Sequence, residues 1–287
     1  MCNILQALII VYILGFNSFI TDAMLKKERQ AFILHNVNLH NRVLVGDLSE
    51  GINVSEDTIR RDLQELADHG KLIKVHGGAL SKSFHSSFNS SKVYALESKK
   101  GIAQKAASLI QDGMFVSTTG GTTIIELAKA LPENLRATFI TGSLPAALEY
   151  MHHPNIEIIM IGDKLSKSSQ ITVGGEAITR IRQIKADICF LGTNALDAKQ
   201  GLTDNDWEVV QVKRAMIESS SKVVSLAIAE KLNTVQRIRV CETKDIDVLV
   251  TELDPHSPEL TPYKKNGTRQ RAVPTATTAI WTCWWPG

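Results

Sequence analysis

Short apolar runs alternate with helical patterns through most of this chain, and that alternation constrains the fold more than any other feature. Six runs have the length of buried strands, at residues 114–118, 137–141, 156–162, 187–192, 222–228 and 246–252. Helical patterns lie between or beside them, at residues 99–110, 124–130, 144–151, 208–219 and 256–264. Because such strands are apolar throughout, both of their faces must be covered. We therefore predict a mostly parallel α/β sheet with helices on both sides.

Residues 24–80 follow a different pattern, of three helices and a hairpin. Ile33, Leu34 and Val37 form an apolar stripe on the first helix, and residues 44–50 form a short second helix that Gly51 closes. Ser55 is a suitable N-cap for a third helix, which Gly70 ends. That helix carries apolar residues at helical spacing, namely Ile59, Leu63 and Leu66. A hairpin turning at Gly77–Gly78 completes a predicted winged helix-turn-helix.

The outward side of the third helix carries the candidate DNA contacts. Recognition helices read bases through their N-terminal residues, and arginine can bond guanine with two hydrogen bonds. The candidates are Ser55, Thr58, Arg60, Arg61 and Gln64, with His76 in the wing. The alternative is a solvated arginine pair neutralised by Asp57, Asp62 and Glu65. Nine Lys or Arg against eight Asp or Glu over residues 24–82 give a net charge of only +1. Tight DNA binding would therefore require a homo-oligomer on repeated half-sites.

These residues resemble the helix-turn-helix signature of the DeoR family of bacterial repressors. The match rests on spacing over the three helices and on the wing, through Arg29, Ile33, Val37, Ser55, the run Thr58 to Leu63, and Val75 to Ala79. The resemblance implies a DNA-binding transcriptional repressor of a carbohydrate-metabolism operon, acting on a double-stranded operator. It implies no catalytic residues and no cofactor.

Three strands of the predicted sheet end in glycine followed by a hydroxyl or an acid. They lead into Gly120–Thr123, Gly142–Ser143 and Gly162–Asp163. Open α/β sheets bind ligands at the carboxyl ends of their strands, and a glycine turn that enters a helix presents N–H groups to an anion. The spacing matches neither the P-loop nor the dinucleotide fingerprint, which argues against ATP and NAD. The candidate effector residues here are Gly121, Thr122, Thr123, Gly142 and Ser143.

The second domain is similar to the DeoR sensor, whose fold is that of ribose-5-phosphate isomerase and glucosamine-6-phosphate deaminase. The matching residues are Glu97, Lys99, Ile102, Ala103, Gly121 to Thr123, Asp187, Phe190, Gly192, Gly201, Lys213 and Lys231. The resemblance implies a phosphorylated sugar or related effector, with Lys213 and Lys231 as cationic partners. Thr119, Gly142 and Ile228 replace two acids and an amide of the family pattern. The identity of the effector, and whether it induces or co-represses, therefore stay open.

Two other functions compete with this interpretation. A sugar-phosphate isomerase or deaminase would need a positioned acid, for which Asp163 and Asp206 are the candidates. A membrane-tethered regulator would use the apolar residues 4–20, but that run is short and no Lys or Arg precedes Lys26. The four cysteines show no C-x-x-C spacing, so we expect no metal site and a cytoplasmic protein.

The chain is therefore predicted to divide into five parts. Residues 1–23 are an apolar extension of doubtful origin, 24–80 the winged helix-turn-helix, and 81–96 a serine-rich linker. Residues 97–267 form the sensor, and 268–287 a tail without helical or strand periodicity that holds three of the four tryptophans.

Overall fold

Three helices and a three-stranded antiparallel sheet form the N-terminal part of the computed structural model, which describes residues 24–82, 93–265 and 269–270. The predicted extension 1–23, residues 83–92 of the linker and most of the tail lie outside the described residues. In chain order the elements are α1 (Lys26–His40), β1 (Arg42–Leu44), α2 (Val45–Ile52), α3 (Glu56–Asp68), β2 (Ile73–Val75) and β3 (Gly78–Leu80).

The third helix begins where its cap residue predicts. The Ser55 side chain accepts a hydrogen bond from the Thr58 backbone N–H at 3.3 Å, which satisfies one of the donors that a helix start leaves unpaired. Ile59 and Leu63 are fully buried. They share one core with Ile33 of α1 and with Leu48 of α2. The winged helix-turn-helix predicted from the spacing is confirmed.

Two local details differ from the prediction. Gly51 does not close the second helix, because α2 continues to Ile52 and Asn53 takes the left-handed conformation, with φ of 52°. Asparagine tolerates this conformation better than most residues, so it replaces glycine as the residue after the helix. The wing also has a third strand, since β1 pairs with β3 while β2 pairs with its other edge.

All six predicted strands lie in one sheet of seven parallel strands. With the strands that follow, the elements are α4 (Leu96–Ala107), β4 (Phe115–Thr118), α5 (Thr122–Lys129), β5 (Thr138–Thr141), α6 (Leu144–Tyr150), β6 (Glu157–Met160), β7 (Lys164–Ser166), β8 (Ile171–Val173), α7 (Gly175–Arg182), β9 (Ile188–Gly192), β10 (Ala195–Asp197), β11 (Gly201–Asp204), α8 (Trp207–Glu218), β12 (Val223–Leu226), β13 (Ile238–Cys241), β14 (Val248–Val250), α9 (Thr261–Lys265) and β15 (Arg269–Gln270). The order across the sheet is β15-β14-β12-β9-β4-β5-β6.

Both faces of this sheet are buried, as its apolar strands predict. Along β9, Cys189 and Leu191 contribute to one core while Phe190 contributes to the other. Neighbouring residues of β5, Phe139 and Ile140, divide in the same way. Because successive side chains of a strand point to opposite faces, this division requires helices on both sides of the sheet.

Several elements were not predicted. These are the helix α7 and two small antiparallel sheets, β7-β8 and β10-β11-β13. The strands of both small sheets are only three or four residues long, too short to show a clear alternation in the sequence. The tail shows no strand periodicity in the sequence, yet Arg269 and Gln270 form β15, which pairs in parallel with β14 at the edge of the main sheet.

The end of α1 joins the two parts of the molecule. Leu39 is buried and belongs to the core of the large sheet, although it lies in the first helix. The next residue, His40, bonds the backbone oxygen of Asn194 through Nδ1 at 3.0 Å. On another side of the contact, Arg237 forms an ion pair with Asp47 of α2. The DNA-binding domain is therefore packed directly on the α/β domain.

Candidate DNA interface and effector cavity

The side chains of α3 that the sequence assigned to DNA lie at the surface. Ser55, Arg60, Arg61 and Gln64 are exposed, and Thr58 is half-buried. His76 is exposed in the turn between β2 and β3. These six side chains therefore lie where a duplex could reach them.

The two neighbouring arginines differ in their surroundings. Arg60 donates to Asp57 at 3.0 Å and also pairs with Glu56, one turn earlier. Within the part of the chain that the structure describes, Arg61 makes no hydrogen bond and no ion pair. The solvated, neutralised arginine considered as an alternative thus describes Arg60, whereas Arg61 keeps all its donors available for a base or a phosphate.

Gln64 connects the reading helix to the wing. Its amide nitrogen donates to Asp68 and its amide oxygen accepts from Lys74 of β2, both at 2.7 Å. Lys74 is exposed and, through this bond, lies beside α3. The wing therefore adds a cation next to the outward side of the reading helix.

A buried ion pair holds α3 against α1. Arg29 bonds Asp62 through two nitrogen atoms, with 3.3 Å between Nη2 and Oδ1. The side chains are 13% and 3% exposed. Arg29 and Asp62 of the family-like signature therefore position the reading helix and do not themselves reach DNA.

The candidate effector cavity lies where the order of the sheet reverses. From β4 the chain adds β5 and then β6 on one side, whereas β9, β12 and β14 follow on the other. The loops that leave β4 and β9 in opposite directions open a crevice between them. A cavity of about 90 Å³ occupies this point, lined by residues from both loops, including Gly120–Thr123 and Gly192–Asn194.

The start of α5 forms one wall of this cavity. Gly121 is its N-cap, with φ of 112°, a conformation that residues with side chains rarely adopt. No side chain of the described residues caps this helix, whereas Ser143 caps α6 and Asp206 caps α8. The hydroxyls of Thr122 and Thr123 make no hydrogen bond within the described residues. The helix start therefore retains donors for an anion.

Gly192 allows the two loops to approach. A Cβ atom at this position would lie 2.4 Å from the Gly120 backbone oxygen. Thr119 strengthens the junction, because its hydroxyl accepts the Gly192 N–H at 2.7 Å. The threonine found where the family pattern has an acid therefore joins two of the loops that line the cavity.

Two buried lysines provide positive charge at the cavity. Lys213 donates to Asp204 at 2.7 Å and to the Gly192 backbone oxygen at 3.1 Å. Lys231 donates to the backbone oxygen of Thr193 and, within the described chain, forms no ion pair. Burial, followed by the charges of Lys99 and Lys213, lowers the pKa of Lys231 to about 7.

Asp204 is the acid of this site that the sequence interpretation missed. Burial by itself would raise its pKa, but the charge of Lys213 and hydrogen bonds from Lys213, Asn194 and Asn205 lower it. One buried carboxylate thus faces two buried lysines, which favours the entry of an anion. An acid in a buried strand was the available signal for this residue.

The predicted effector residues divide into two groups. Gly121, Thr122, Thr123, Lys213 and Lys231 line the cavity. Gly142 and Ser143 do not, for two structural reasons. The Gly142 backbone oxygen pairs with the Thr172 N–H at 2.8 Å, and the Ser143 hydroxyl accepts from Ala146 as the cap of α6.

Both acids considered for catalysis have structural roles. Asp163 accepts the N–H groups of Glu176 and Ala177 at the start of α7 and is not on the cavity wall. Asp206 lines the cavity, but it caps α8 and also accepts from Ser169. Ile228, the third departure from the family pattern, is buried in the core.

The cavity also has a wall from the DNA-binding domain. His40, Asn41 and Arg42, at the junction of α1 and β1, line it together with the sensor residues. Sequence reasoning missed this contribution, because nothing local in these three residues indicates a contact 150 residues away.

The described residues contain no group of three His, Cys, Asp or Glu side chains that could hold a metal ion. Over the same residues, no helix combines the length and the apolar character needed to cross a membrane.

Two family models match the chain. Residues 29–84 match the DeoR-like helix-turn-helix domain, and residues 95–253 match the DeoR C terminal sensor domain. Together they cover both the reading helix and the cavity.

Similar proteins agree with these matches. The HTH-type transcriptional regulator GolR of Listeria innocua is 32% identical, over 78% of this chain and 90% of the relative. The glycerol-3-phosphate regulon repressor of Haemophilus influenzae is 34% identical, over 71% and 81%. Among solved structures, ribose 5-phosphate isomerase A of Methanocaldococcus jannaschii is 20% identical over 47% of this chain and 53% of its own, with a TM-score of 0.34. So low a TM-score carries no inference about function.

Proposed function

The chain belongs to the DeoR family of transcriptional regulators, and on that premise we propose that it represses a carbohydrate-metabolism operon under the control of a phosphorylated sugar or sugar-derived metabolite. That it regulates transcription and is not an enzyme follows from its family and from relatives named as regulators and repressors. The effector, the contact residues, the division into domains at 24–80 and 97–267 and a cytoplasmic location are proposals.

One observation carries the choice of a phosphorylated effector. Among the described residues Lys231 is a buried cation without an ion pair, and it lines the same cavity as the uncapped start of α5. Aligned N–H groups and a buried positive charge both favour a phosphate over a neutral sugar. One relative is named for a glycerol-3-phosphate regulon, which is in keeping with a phosphorylated ligand.

The rest of the cavity suits a polyhydroxylated molecule. Ser169, Asn205, Asp206 and Gln236 present hydroxyl, amide and carboxylate groups on its wall. The hydroxyl and amide groups donate and accept hydrogen bonds and the carboxylate accepts them, so together they can match sugar hydroxyls. The acids and the amide absent at positions 119, 142 and 228 would thereby be replaced from other loops.

A thermal-shift screen tests the effector. Each phosphorylated sugar is compared with its unphosphorylated parent, and we expect only the phosphorylated member to raise the melting temperature. Thr122→Val removes a hydroxyl at nearly constant volume and should weaken the response. If no phosphorylated metabolite stabilises the wild-type chain, the effector proposal is wrong, while the family assignment stands.

We also propose that the regulator is a homo-oligomer, with β6 in the contact between copies. This strand ends the sheet, and Ile159 and Met160 on it are 38% and 42% exposed. Met151, just after α6, is 70% exposed beside it. An open apolar edge favours pairing with another strand. A second copy is the occupant we favour, because one DNA-binding domain carries a net charge of only +1.

Sedimentation of wild-type and Met160→Lys chains tests this contact. A charge on the edge should shift the variant toward the monomer and weaken DNA binding. Leu165→Lys, on the neighbouring β7 hairpin, is the control for added charge alone, since Leu165 is similarly exposed at 43%. An unchanged mass for the Met160 variant would place the contact elsewhere.

A further inference from the structure

Arg42 is a cation of the DNA-binding domain that lies on the wall of the effector cavity. Its side chain is 36% exposed, and its nearest carboxylate is Asp206, with 4.0 Å between Nη1 and Oδ2. Within the described residues the Arg42 side chain makes no hydrogen bond. Asp206 is already engaged as the cap of α8 and as the acceptor for Ser169. The five N–H donors of the Arg42 guanidinium are therefore available to another partner.

The contact between the two domains does not depend on Arg42. Leu39 is buried in the core of the α/β domain, and His40 bonds the Asn194 backbone oxygen. Arg237 pairs with Asp47 of α2 at a place outside the cavity. An arginine that faces a cavity, with its hydrogen-bonding capacity unused, is better explained by a ligand than by domain packing.

We propose that Arg42 binds the anionic group of the effector, so that the effector site is completed by the DNA-binding domain. This inference rests on the proposed function, because it concerns the same cavity. A planar guanidinium can hold a phosphate or carboxylate through two parallel hydrogen bonds. The effector would then touch both domains at once.

A ligand held between the domains couples effector binding to the position of the reading helix. Arg42 starts β1 directly after α1, and α1 is joined to α3 by the buried Arg29–Asp62 pair. Binding that is stronger with the domains packed together must stabilise that packing to the same extent. The effector would therefore act on α3 through α1 and β1 as one body.

Titration of the full chain with inorganic phosphate tests the role of Arg42. We expect Arg42→Ala to raise the Kd about tenfold or more, the effect of losing a charged hydrogen-bonding partner. The Kd of Arg42→Lys should lie between those of the wild type and Arg42→Ala, because lysine keeps the charge but lacks the planar guanidinium. Arg237→Ala removes an interdomain cation outside the cavity and should change the Kd by less than about twofold.

Hydrogen exchange gives a readout of the bridge itself. Phosphate should slow exchange in residues 41–44 of the wild-type chain and of Arg237→Ala, but not of Arg42→Ala. If Thr122→Val loses phosphate binding while Arg42→Ala keeps wild-type affinity, the cavity binds the anion but Arg42 does not contact it, and this inference is wrong. If neither phosphate nor any phosphorylated sugar binds the wild-type chain, the proposed function fails and the inference fails with it.

Discussion

Arg60 and Arg61 are adjacent in the chain, yet the environment of each side chain assigns it a different use. Arg60 forms ion pairs with Glu56 and Asp57, so part of its charge is already compensated before DNA arrives. Arg61 points from the same helix without a partner among the described residues. At this scale the chemistry of a residue type matters less than the number of its donors that remain unused.

Replacing these arginines separately should therefore give unequal losses. We expect Arg61→Ala to cost roughly 1–3 kcal/mol of specific DNA binding and to relax the choice of base at one position. Arg60→Ala should cost less, because Glu56 and Asp57 already compensate part of the Arg60 charge. Fluorescence anisotropy with operator DNA and single-base variants measures both. If wild type and both variants bind operator DNA with equal affinity, α3 does not contact the DNA.

The depressed pKa of Lys231 predicts how anion binding depends on pH. Because that pKa is about 7, the lysine loses its proton above neutral pH. Binding of an anion to the charged lysine must then be accompanied by the uptake of a proton. The affinity for a phosphorylated sugar should fall by up to about tenfold per pH unit above pH 7, where a phosphate monoester is already mostly dianionic. Titrations at pH 7 and 8.5 measure this fall.

Lys231→Met should bind phosphate weakly and lose most of this pH dependence. The same variant should melt at a higher temperature at pH 7 without ligand. Burial lowers the pKa of Lys231 from 10.5 in the unfolded chain to about 7, so this lysine destabilises the fold at every pH below 10.5. Lys213→Met is the contrasting variant, since it leaves Asp204 unpaired and should lower the melting temperature. A fall in melting temperature for both would contradict this description of Lys231.

At the scale of elements, the start of one helix and the position of another decide the two binding sites. The cavity uses the uncapped start of α5, whereas α6 and α8 have side-chain caps. The reading helix α3 is positioned by apolar packing and by the buried pair between Arg29 and Asp62. A buried pair is costly to break, since the remaining partner keeps an uncompensated charge.

Asp62→Asn should therefore destabilise the DNA-binding domain by roughly 3–5 kcal/mol. Urea unfolding followed by the helical signal measures the free energy of unfolding. Glu56→Gln breaks an exposed ion pair on the same helix and should cost less than about 1 kcal/mol. Replacing Arg29 and Asp62 together by Met and Leu should recover much of the loss, because no buried charge is left over. Equal stability of Asp62→Asn and Glu56→Gln would show that the pair is unimportant.

For the whole molecule, the contact between domains depends on a histidine. Burial and the nearby charge of Lys231 lower the pKa of His40 to about 4, while the Asn194 backbone oxygen opposes the shift. His35 also lowers this pKa, and Asp204 raises it. The packed state therefore holds His40 neutral, with Nδ1 as the donor to Asn194.

Acid should loosen this contact. A released His40 has a pKa near 6.5, so protonation favours separation as the pH falls from about 6.5 toward 4. Between pH 7 and pH 5 the packing should weaken by about 2 kcal/mol. Hydrogen exchange in residues 39–44 measures the separation, and His40→Gln should remove most of its pH dependence. The same pH dependence in that variant would assign the effect to another group.

Patterns within about twenty residues determined much of this protein from the sequence. Ser55 and the spacing of Ile59, Leu63 and Leu66 predict α3, and six apolar runs predict six strands of the sheet. Helix and strand periodicity depends on neighbours in the chain, so a sequence displays it directly. The motif Gly121–Thr123 was readable for the same reason, because a glycine turn before a helix is local.

Tertiary structure alone decided which of these pieces meet. The sheet order places the cavity between the loops after β4 and β9, so Gly142 and Ser143, after β5, are left off its wall. Packing of α1 on the sensor brings Arg42 to that cavity, and the tertiary fold brings Asp204, at the end of β11, to its partner Lys213 on α8. Such contacts join residues far apart in the chain. They depend on strand order and domain packing, which result from the burial of all apolar faces together and leave no local pattern.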